Sequence, residues 1–587
     1  MDYFRLRGIG VSPGIALGEV LLTERVIFTS RKEGISPNKL KEELTRLKKA
    51  VERTKGQLTL VKEEVKKKMG EEHAFIFEAH LLMLEDKSLY SKLEESIKKE
   101  RCRAEWALSR VHDKYQKIFD SISDEYFRQR KSDVADVLTK IYRNLAPKDQ
   151  KRGDDGSEKI IVARDLLPSE AAVRLSRGNV LAVAIDMGGQ TSHTAILARS
   201  LNIPAVVGLH NISKRVKNGD FLIVDGTAGE VIVNPPPAIR KEFLSKKKKY
   251  DDYRKELRKT AKLSSLTLDD VRFFPLANIE LPEEVNLALS LGAEGIGLFR
   301  SEFIYFQSTS LPTEEEHFSI YSRIAKEAYP HPVYIRTMDV GGEKNLPQLK
   351  IEKEPNPALG LRAIRLSLRD KSMFKIQLKA IMRASHLKNV RILLPMITEI
   401  EEIEEVKFLL QEVKGELKKK RMKFDENIPL GVMIEVPAAA AITDLLVKEV
   451  DYLSIGTNDL IQYYLAVDRS NESVSYLYKP LHPSILRLLK FIIETAQRGG
   501  KDITVCGEMA ADPLSALVLF GFGLRKFSMN PIFIPRIKKA LRSVEYKTVR
   551  EVVQKAVTLK TSQEIEEYVI EKILVKYPNT FLMGQAI

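Results

Sequence analysis

The sequence predicts a multidomain α/β protein: a C-terminal (β/α)8 TIM-like barrel, a smaller α/β domain, and an all-α helical bundle inserted into that smaller domain. Three observations carry this. The chain has 587 residues, too many for a single hydrophobic core. Its second half alternates eight short apolar runs with helical patterns. Between Pro37 and Leu145, glycine and proline nearly vanish while apolar residues recur at helical spacing.

Residues 4–28 read as strands and turns, with a tight loop through Gly8-Ile9-Gly10-Val11-Ser12-Pro13-Gly14. Residues 29–148 read as the inserted bundle; Leu40, Leu44, Leu47 and Val51 share one helix face, and Phe77, Leu81 and Leu84 another. From Lys159 the α/β pattern returns, with strands over 160–163, 180–184, 203–208 and 221–226. Residues 1–28 and 149–234 therefore make one domain in two pieces. Pro235-Pro236-Pro237 ends it. A linker over 235–265 follows. Its polar helix over 238–262, with Ile239, Phe243, Tyr250 and Tyr253 on a weak stripe, reads as a connecting rod and hinge. Residues 266–587 hold the barrel, with strands over 271–278, 295–299, 333–337, 390–395, 430–436, 452–456, 503–507 and 526–529.

The formal charge is +15, from 95 Lys and Arg against 80 Asp and Glu. Much of the excess sits in runs such as Lys246–Lys249 and Lys418–Arg421, which read as solvated helix faces. No basic motif interleaved with aromatics points to nucleic acid. Two distant cysteines, Cys102 and Cys506, give no disulfide framework and suit a reducing compartment. No apolar run has the length of a membrane span, and the first residues lack the apolar core of a signal peptide. The expectation is a cytoplasmic protein without membrane insertion.

Two constellations carry chemistry. The first is Gly188-Gly189-Gln190-Thr191-Ser192-His193, which opens a helix. Glycines allow close backbone approach, and free N–H groups at a helix start attract anions. A histidine there is suited to accept a phosphoryl group; the plain alternative is a capped helix with an incidental histidine. The second gathers at the ends of the barrel strands: Arg300 after the second, Arg336 ending the third, Glu435 ending the fifth, Asn458 and Asp459 after the sixth with Arg469 ten residues on, and Cys506 ending the seventh. Barrel sites form at that end. Two carboxylates on neighbouring strands suit Mg²⁺, which shares oxygen ligands with its substrate. Three arginines supply forked donors for phosphate and carboxylate. Singly, each has a plain alternative: Glu435 or Asp459 as a helix cap, Arg300 paired with Glu302, Cys506 as a packing residue. His112, His210, His317, His331, His386 and His482 read as structural or surface groups.

These motifs, with Gly-Leu-Phe-Arg ending at Arg300, Arg-Thr-Met-Asp at 336–339, Gly-Leu-Arg-Ala-Ile-Arg at 360–365, Gly-Thr-Asn-Asp at 456–459 and Cys-Gly-Glu at 506–508, run nearly end to end in an order that resembles enzyme I of the bacterial phosphoenolpyruvate-dependent sugar phosphotransferase system. The resemblance implies that phosphoenolpyruvate and Mg²⁺ bind in the barrel. Glu435 and Asp459 correspond to metal ligands, and Arg300, Arg336, Asn458, Asp459 and Arg469 to substrate contacts. His193 corresponds to the phosphorylated nucleophile, and Cys506 to the acid that protonates the leaving enolate to pyruvate. His193 then passes the phosphoryl group to a histidine of the phosphocarrier protein HPr. The bundle corresponds to the HPr-docking domain, with Glu71, Glu72, His80, Met83 and Leu84 in its docking region, and the barrel to the homodimer contact. His193 and the barrel site fall in different domains, so transfer requires a large swing, for which the 238–262 rod is the expected hinge.

The sequence departs from that family at three places: Gln190 stands where arginine is usual, Ala171 where threonine is common, and Glu343 where aspartate is common. Loss of a cation beside the phosphohistidine weakens its stabilisation. Pyruvate phosphate dikinase and phosphoenolpyruvate synthase share the histidine chemistry but need a nucleotide domain, for which the chain has no room. A nitrogen-related paralogue typically adds an N-terminal sensory domain. A non-catalytic scaffold has only the positive charge in its favour.

Overall fold

The computed structural model describes residues 3–23, 28, 32–69, 71–85, 87–120, 125–145, 157–176, 178–189, 192–307, 310–341, 354–469, 471 and 473–578. The chain divides into two compact units, Met1–Tyr253 and Arg254–Ala586.

The first unit opens with β1 (Phe4–Arg7), β2 (Ile9–Ser12) and β3 (Ile15–Thr23). Five helices follow: α1 (Leu40–Met69), α2 (Glu71–Glu85), α3 (Lys87–Glu100), α4 (Ala104–Asp120) and α5 (Glu125–Leu145). Then come β4 (Lys159–Ala163), α6 (Pro168–Ser176), β5 (Val180–Ile185), α7 (His193–Ser200), β6 (Ala205–Val207), the short α8 (Ile212–Arg215), β7 (Phe221–Asp225), β8 (Glu230–Val233) and α9 (Pro237–Ala261). The strands form one mixed sheet in the order β1-β8-β7-β3-β4-β5-β6-β2. Alternation along β4 sends Ile160 and Val162 to one apolar cluster and Ile161 and Ala163 to another, as the two-residue period of a strand requires. The second cluster is completed by α6 and α7 and by Leu58, Val61, Val65 and Phe77 of the bundle. The predicted stripes behave as expected: Leu47 is buried in the bundle core with Leu40, Leu44 and Val51 packed on it. Phe243 of α9 is buried against Ile15, Ile223 and Ile232, with Ile239 alongside.

The second unit is a closed barrel of eight parallel strands: β9 (Phe274–Ile279), β10 (Ile296–Arg300), β11 (Val333–Arg336), β12 (Val390–Leu394), β13 (Leu430–Ile434), β14 (Tyr452–Ile455), β15 (Asp502–Val505) and β16 (Lys526–Met529), with β16 pairing back to β9. Leu276, Leu298, Tyr334, Leu393, Met433, Tyr452 and Cys506 fill the interior. The Tyr452 hydroxyl donates to the Ile392 carbonyl at 2.6 Å. β9 starts three residues later than the sequence predicts. Val271 instead turns back on Thr267: its N–H donates to the Thr267 Oγ1 at 2.9 Å, and its carbonyl accepts the Thr267 N–H at 3.1 Å. β8, a hairpin partner of β7, has no counterpart among the predicted strands.

Among the described residues no helix is long and apolar enough to cross a membrane.

Candidate functional site

Strand register assembles the site. Arg300 and Arg336 are direct partners across β10 and β11. Ile434 pairs with Ile455, and Ile455 with Val505, so Glu435, Gly456 and Cys506 follow together at one end of the barrel. Gly456 leaves space there that a side chain would take, since a Cβ would lie 2.8 Å from the Glu435 Oε2. Gly507 is equally constrained: a Cβ would collide with the Thr457 Oγ1. A helix over Thr457–Leu465 carries Asn458 and Asp459 in its first turn.

All seven barrel residues singled out from the sequence line one cavity of about 370 Å³: Arg300, Arg336, Glu435, Asn458, Asp459, Arg469 and Cys506. Asp339 and Arg362 line it too.

The inner wall is a chain of alternating charges. The Glu302 Oε1 accepts the Arg336 Nη2 at 2.8 Å and the Asp339 N–H at 3.0 Å. Asp339 pairs with the Arg336 Nη1 at 3.2 Å and the Arg362 Nη2 at 2.9 Å. Arg362 continues to the Asp459 Oδ2 at 3.3 Å and the Tyr463 hydroxyl at 3.1 Å. Burial opposes the Arg336 charge, but Glu302, Asp339 and Glu435 outweigh it and raise its pKa. The same balance, with Asp339 and Asp459, raises that of Arg362. The Arg336 Nε is buried and finds no partner among the described residues.

The outer wall is looser. Arg300 holds Glu280 at 2.8 Å and Arg469 holds Glu508 at 2.9 Å. All four side chains are exposed, and such pairs contribute little, so both arginines exchange partners readily. Glu508 also accepts from the Asn458 Nδ2 at 3.2 Å and returns its N–H to the Asn458 Oδ1 at 2.8 Å. The alternative pairing of Arg300 with Glu302 does not occur; Glu302 belongs to Arg336.

The Glu435 Oε1 accepts the Met396 N–H at 2.7 Å, and the side chain is buried. Burial, with the neighbouring Asp459 and Asp339 charges, pushes its carboxyl up to about 8. Burial likewise pushes the Cys506 thiol up to about 11, so it stays protonated at neutral pH. Its Sγ lies 3.4 Å from the Ser454 Oγ and 3.5 Å from the Ile455 carbonyl. Among the described residues no cluster of three or more His, Cys, Asp or Glu side chains is arranged to hold a metal by itself.

Sequence reasoning missed Glu302, Asp339 and Arg362 as site residues. The signal was present: Asp339 and Arg362 both stand inside motifs quoted above. The spacing did not reveal that they pair across the site.

In the first unit, His193 is the first residue of α7. Ser192 caps that helix, its Oγ accepting the Ala195 N–H at 3.4 Å. The His193, Glu71 and Glu72 side chains lie outside the described residues, as do Gln190 and Glu343. Ala171 is buried in the α6 face. Met83 and Leu84 are half-buried and pack on the bundle core. His80 corrects the sequence expectation, because it is wholly buried rather than presented to a partner. It follows Phe77 by three residues and shares its inward face. Its Nε2 lies 3.3 Å from the Asp133 Oδ1 and its Nδ1 3.7 Å from the Asp136 Oδ2. Asp136 also accepts the Ser169 N–H and hydroxyl, each at 2.7 Å, at the start of α6.

A closed parallel barrel with arginines and carboxylates facing one cavity defines an enzyme for a small polyanion. Three family models match in succession: "PEP-utilising enzyme, N-terminal" over residues 7–130, its "mobile domain" over 156–229 and its "PEP-binding domain" over 254–546. The phosphoenolpyruvate-protein phosphotransferase of Geobacillus stearothermophilus is 40% identical over 565 residues, 96% of this chain and 97% of that one. The protein of the same name from Haemophilus influenzae is 40% identical over 572 residues, 97% and 99% of the two chains. A solution structure titled Enzyme I (nEIt) is 40% identical, covers 42% of this chain and 99% of its own, and superposes with a TM-score of 0.36. The chain belongs to the phosphoenolpyruvate-protein phosphotransferase family.

Proposed function

We propose that the protein transfers the phosphoryl group of phosphoenolpyruvate to its own His193, releases pyruvate, and passes the group on to a histidine of HPr, as the first step of a sugar phosphotransferase system. The observation that carries the reading is the side-chain set of the barrel cavity: four arginines, four carboxylates and a protonated thiol around about 370 Å³.

Arg300 and Arg469 hold the substrate by giving up their exposed glutamates. Arg336, fixed by Glu302 and Asp339, adds a permanent positive charge to the cavity wall. Asn458 adds an amide donor. Phosphoryl transfer needs little covalent work from the protein beyond positioning and neutralisation of charge. Cys506 holds a proton at Sγ for the enolate carbon of the leaving group. His193 is the nucleophile of the reading, and its phosphoramidate is a transferable intermediate that separates the two half-reactions.

Glu435 and Asp459 would hold Mg²⁺. A carboxyl pushed up by burial and by like charges is relieved by a cation, and two protein oxygens leave positions for substrate oxygens. When bound, the ion neutralises phosphate and carboxylate charge. HPr would dock on α2, through Glu71, Glu72, Met83 and Leu84, beside Leu82, which is exposed; buried His80 takes no part. Homodimerisation through the barrel and a cytoplasmic location complete the reading.

The test couples pyruvate release to lactate dehydrogenase. With phosphoenolpyruvate, Mg²⁺ and a large excess of HPr, pyruvate is released over many turnovers until the HPr is phosphorylated; without HPr, release stops after one equivalent per chain. Continuous release by His193→Ala would refute the reading.

A further inference from the structure

Arg300 and Arg336 end β10 and β11, and the turns that follow them are both hydrogen-bonded to one buried side chain that does not line the cavity. Gln377 sits on a helix over Lys371–Ala384 and is 1% exposed. Its Oε1 accepts the Met338 N–H at 3.0 Å, in the β11 turn. Its Nε2 donates to the Ser301 Oγ at 3.0 Å, in the β10 turn, and to the Tyr321 hydroxyl at 3.0 Å. A donor and an acceptor on one planar group are required, because one turn offers an N–H and the other a hydroxyl.

The orientation of that amide is fixed by the Met338 N–H, which can only donate, so Oε1 faces Met338 and Nε2 faces the two hydroxyls. The Tyr321 hydroxyl lies 3.0 Å from the His317 Nδ1. Burial lowers the His317 pKa to about 4, so the ring is neutral, and because the Tyr321 hydroxyl already accepts from Gln377, its proton goes to His317 Nδ1. Tyr321 then donates to His317 and accepts from Gln377.

We propose that Gln377 is a positioning residue of the cavity, setting the separation of the Arg300 and Arg336 turns. It acts through Glu302, which stands in the first turn and accepts from Arg336 and from the Asp339 N–H of the second. The inference rests on the reading of this cavity as the phosphoenolpyruvate site. A polar residue satisfied only for packing would have no reason to join two site turns, and misplacement of a substrate-holding group by about 1 Å costs on the order of 100-fold in rate.

The test uses the full chain and the variants Gln377→Leu, Ser301→Ala and Tyr321→Phe. Two activities are read: pyruvate release from phosphoenolpyruvate with Mg²⁺ and HPr, and phosphorylation of His193 by phospho-HPr, which in this reading needs nothing from the barrel. Gln377→Leu is expected to lose roughly 10- to 100-fold in kcat/KM for phosphoenolpyruvate. Ser301→Ala, which breaks one end of the clamp with little disturbance to folding, is expected to lose several-fold in the same direction. Tyr321→Phe, which removes the rear bonds to Gln377 and His317 but leaves both turn bonds in place, is expected to stay within about threefold of wild type while losing comparable stability. Transfer from phospho-HPr stays at the wild-type rate throughout. Wild-type kcat/KM in folded Gln377→Leu, or in Ser301→Ala if Gln377→Leu does not fold, overturns the proposal, as does an equal loss in Tyr321→Phe. Wild-type protein that releases no pyruvate overturns the functional reading itself, a result distinct from either.

Discussion

Removing Glu302 should loosen the barrel and its activity together. Its Oε1 serves both a buried guanidinium and a buried backbone N–H, at 2.8 and 3.0 Å. In Glu302→Ala the Arg336 guanidinium keeps Asp339 at 3.2 Å, so it is not left unpaired. The loss then falls near the low end for breaking a buried ion pair, about 3 kcal/mol. The orphaned Asp339 N–H adds about 1 kcal/mol. Glu302→Gln keeps both acceptor bonds and loses only their charge assistance, about 1 kcal/mol. The single tryptophan of the chain is Trp106, in the bundle, so its fluorescence reports the first unit. Far-UV circular dichroism reports both units. Guanidinium titration should therefore move the dichroism transition of the barrel and leave the Trp106 transition in place, in the order Glu302→Ala, then Glu302→Gln, then wild type. Activity measured as pyruvate release should fall in the same order. Coincident barrel transitions and equal KM values for all three proteins would refute the argument that Glu302 anchors Arg336.

Three further outcomes follow from the site. The His317 pKa is depressed from 6.5 to about 4, so the stability it contributes is present above pH 6.5 and is lost as pH falls toward 4; wild type should lose about 3 kcal/mol more than His317→Gln over that interval, read as the difference between their unfolding curves, in which the opposite slope of Glu435 cancels. The Cys506 thiol, raised from 9.0 to about 11, should carry about 100-fold less thiolate at pH 8 and be alkylated at least that much more slowly than in unfolded chain, as mapped by peptide mass; equal rates would remove it as a protonated acid. Gln190→Arg should restore a cation next to the phosphohistidine in sequence and slow its spontaneous hydrolysis several-fold, measured by loss of label from isolated phosphoprotein.

How far the sequence could be read depended on whether a feature is local. The barrel strands were legible because each is a short apolar run between helical patterns, and β10 to β16 lie within about two residues of their predicted bounds. β9 moved because the Val271–Thr267 turn is a contact between backbone and side chain that hydropathy does not register. β8 was missed because it follows β7 through a short hairpin turn, with no helical pattern between the two to mark it off. The site residues at strand ends were legible for the same local reason, since a polar group closing a buried strand is conspicuous. Glu302, Asp339, Arg362 and Gln377 were not, because each depends on a partner 23 to 97 residues away. His80 failed in the opposite sense: its own spacing from Phe77 pointed inward, and the family likeness overrode that spacing.

The central claim is that His193 takes a phosphoryl group from phosphoenolpyruvate, and intact mass measures it most directly. Purified protein incubated with phosphoenolpyruvate and Mg²⁺ should gain one acid-labile phosphoryl group as pyruvate accumulates in equal amount, and His193→Ala should gain none. No adduct on folded wild-type protein with metal present, or an adduct that survives in His193→Ala, would contradict the account.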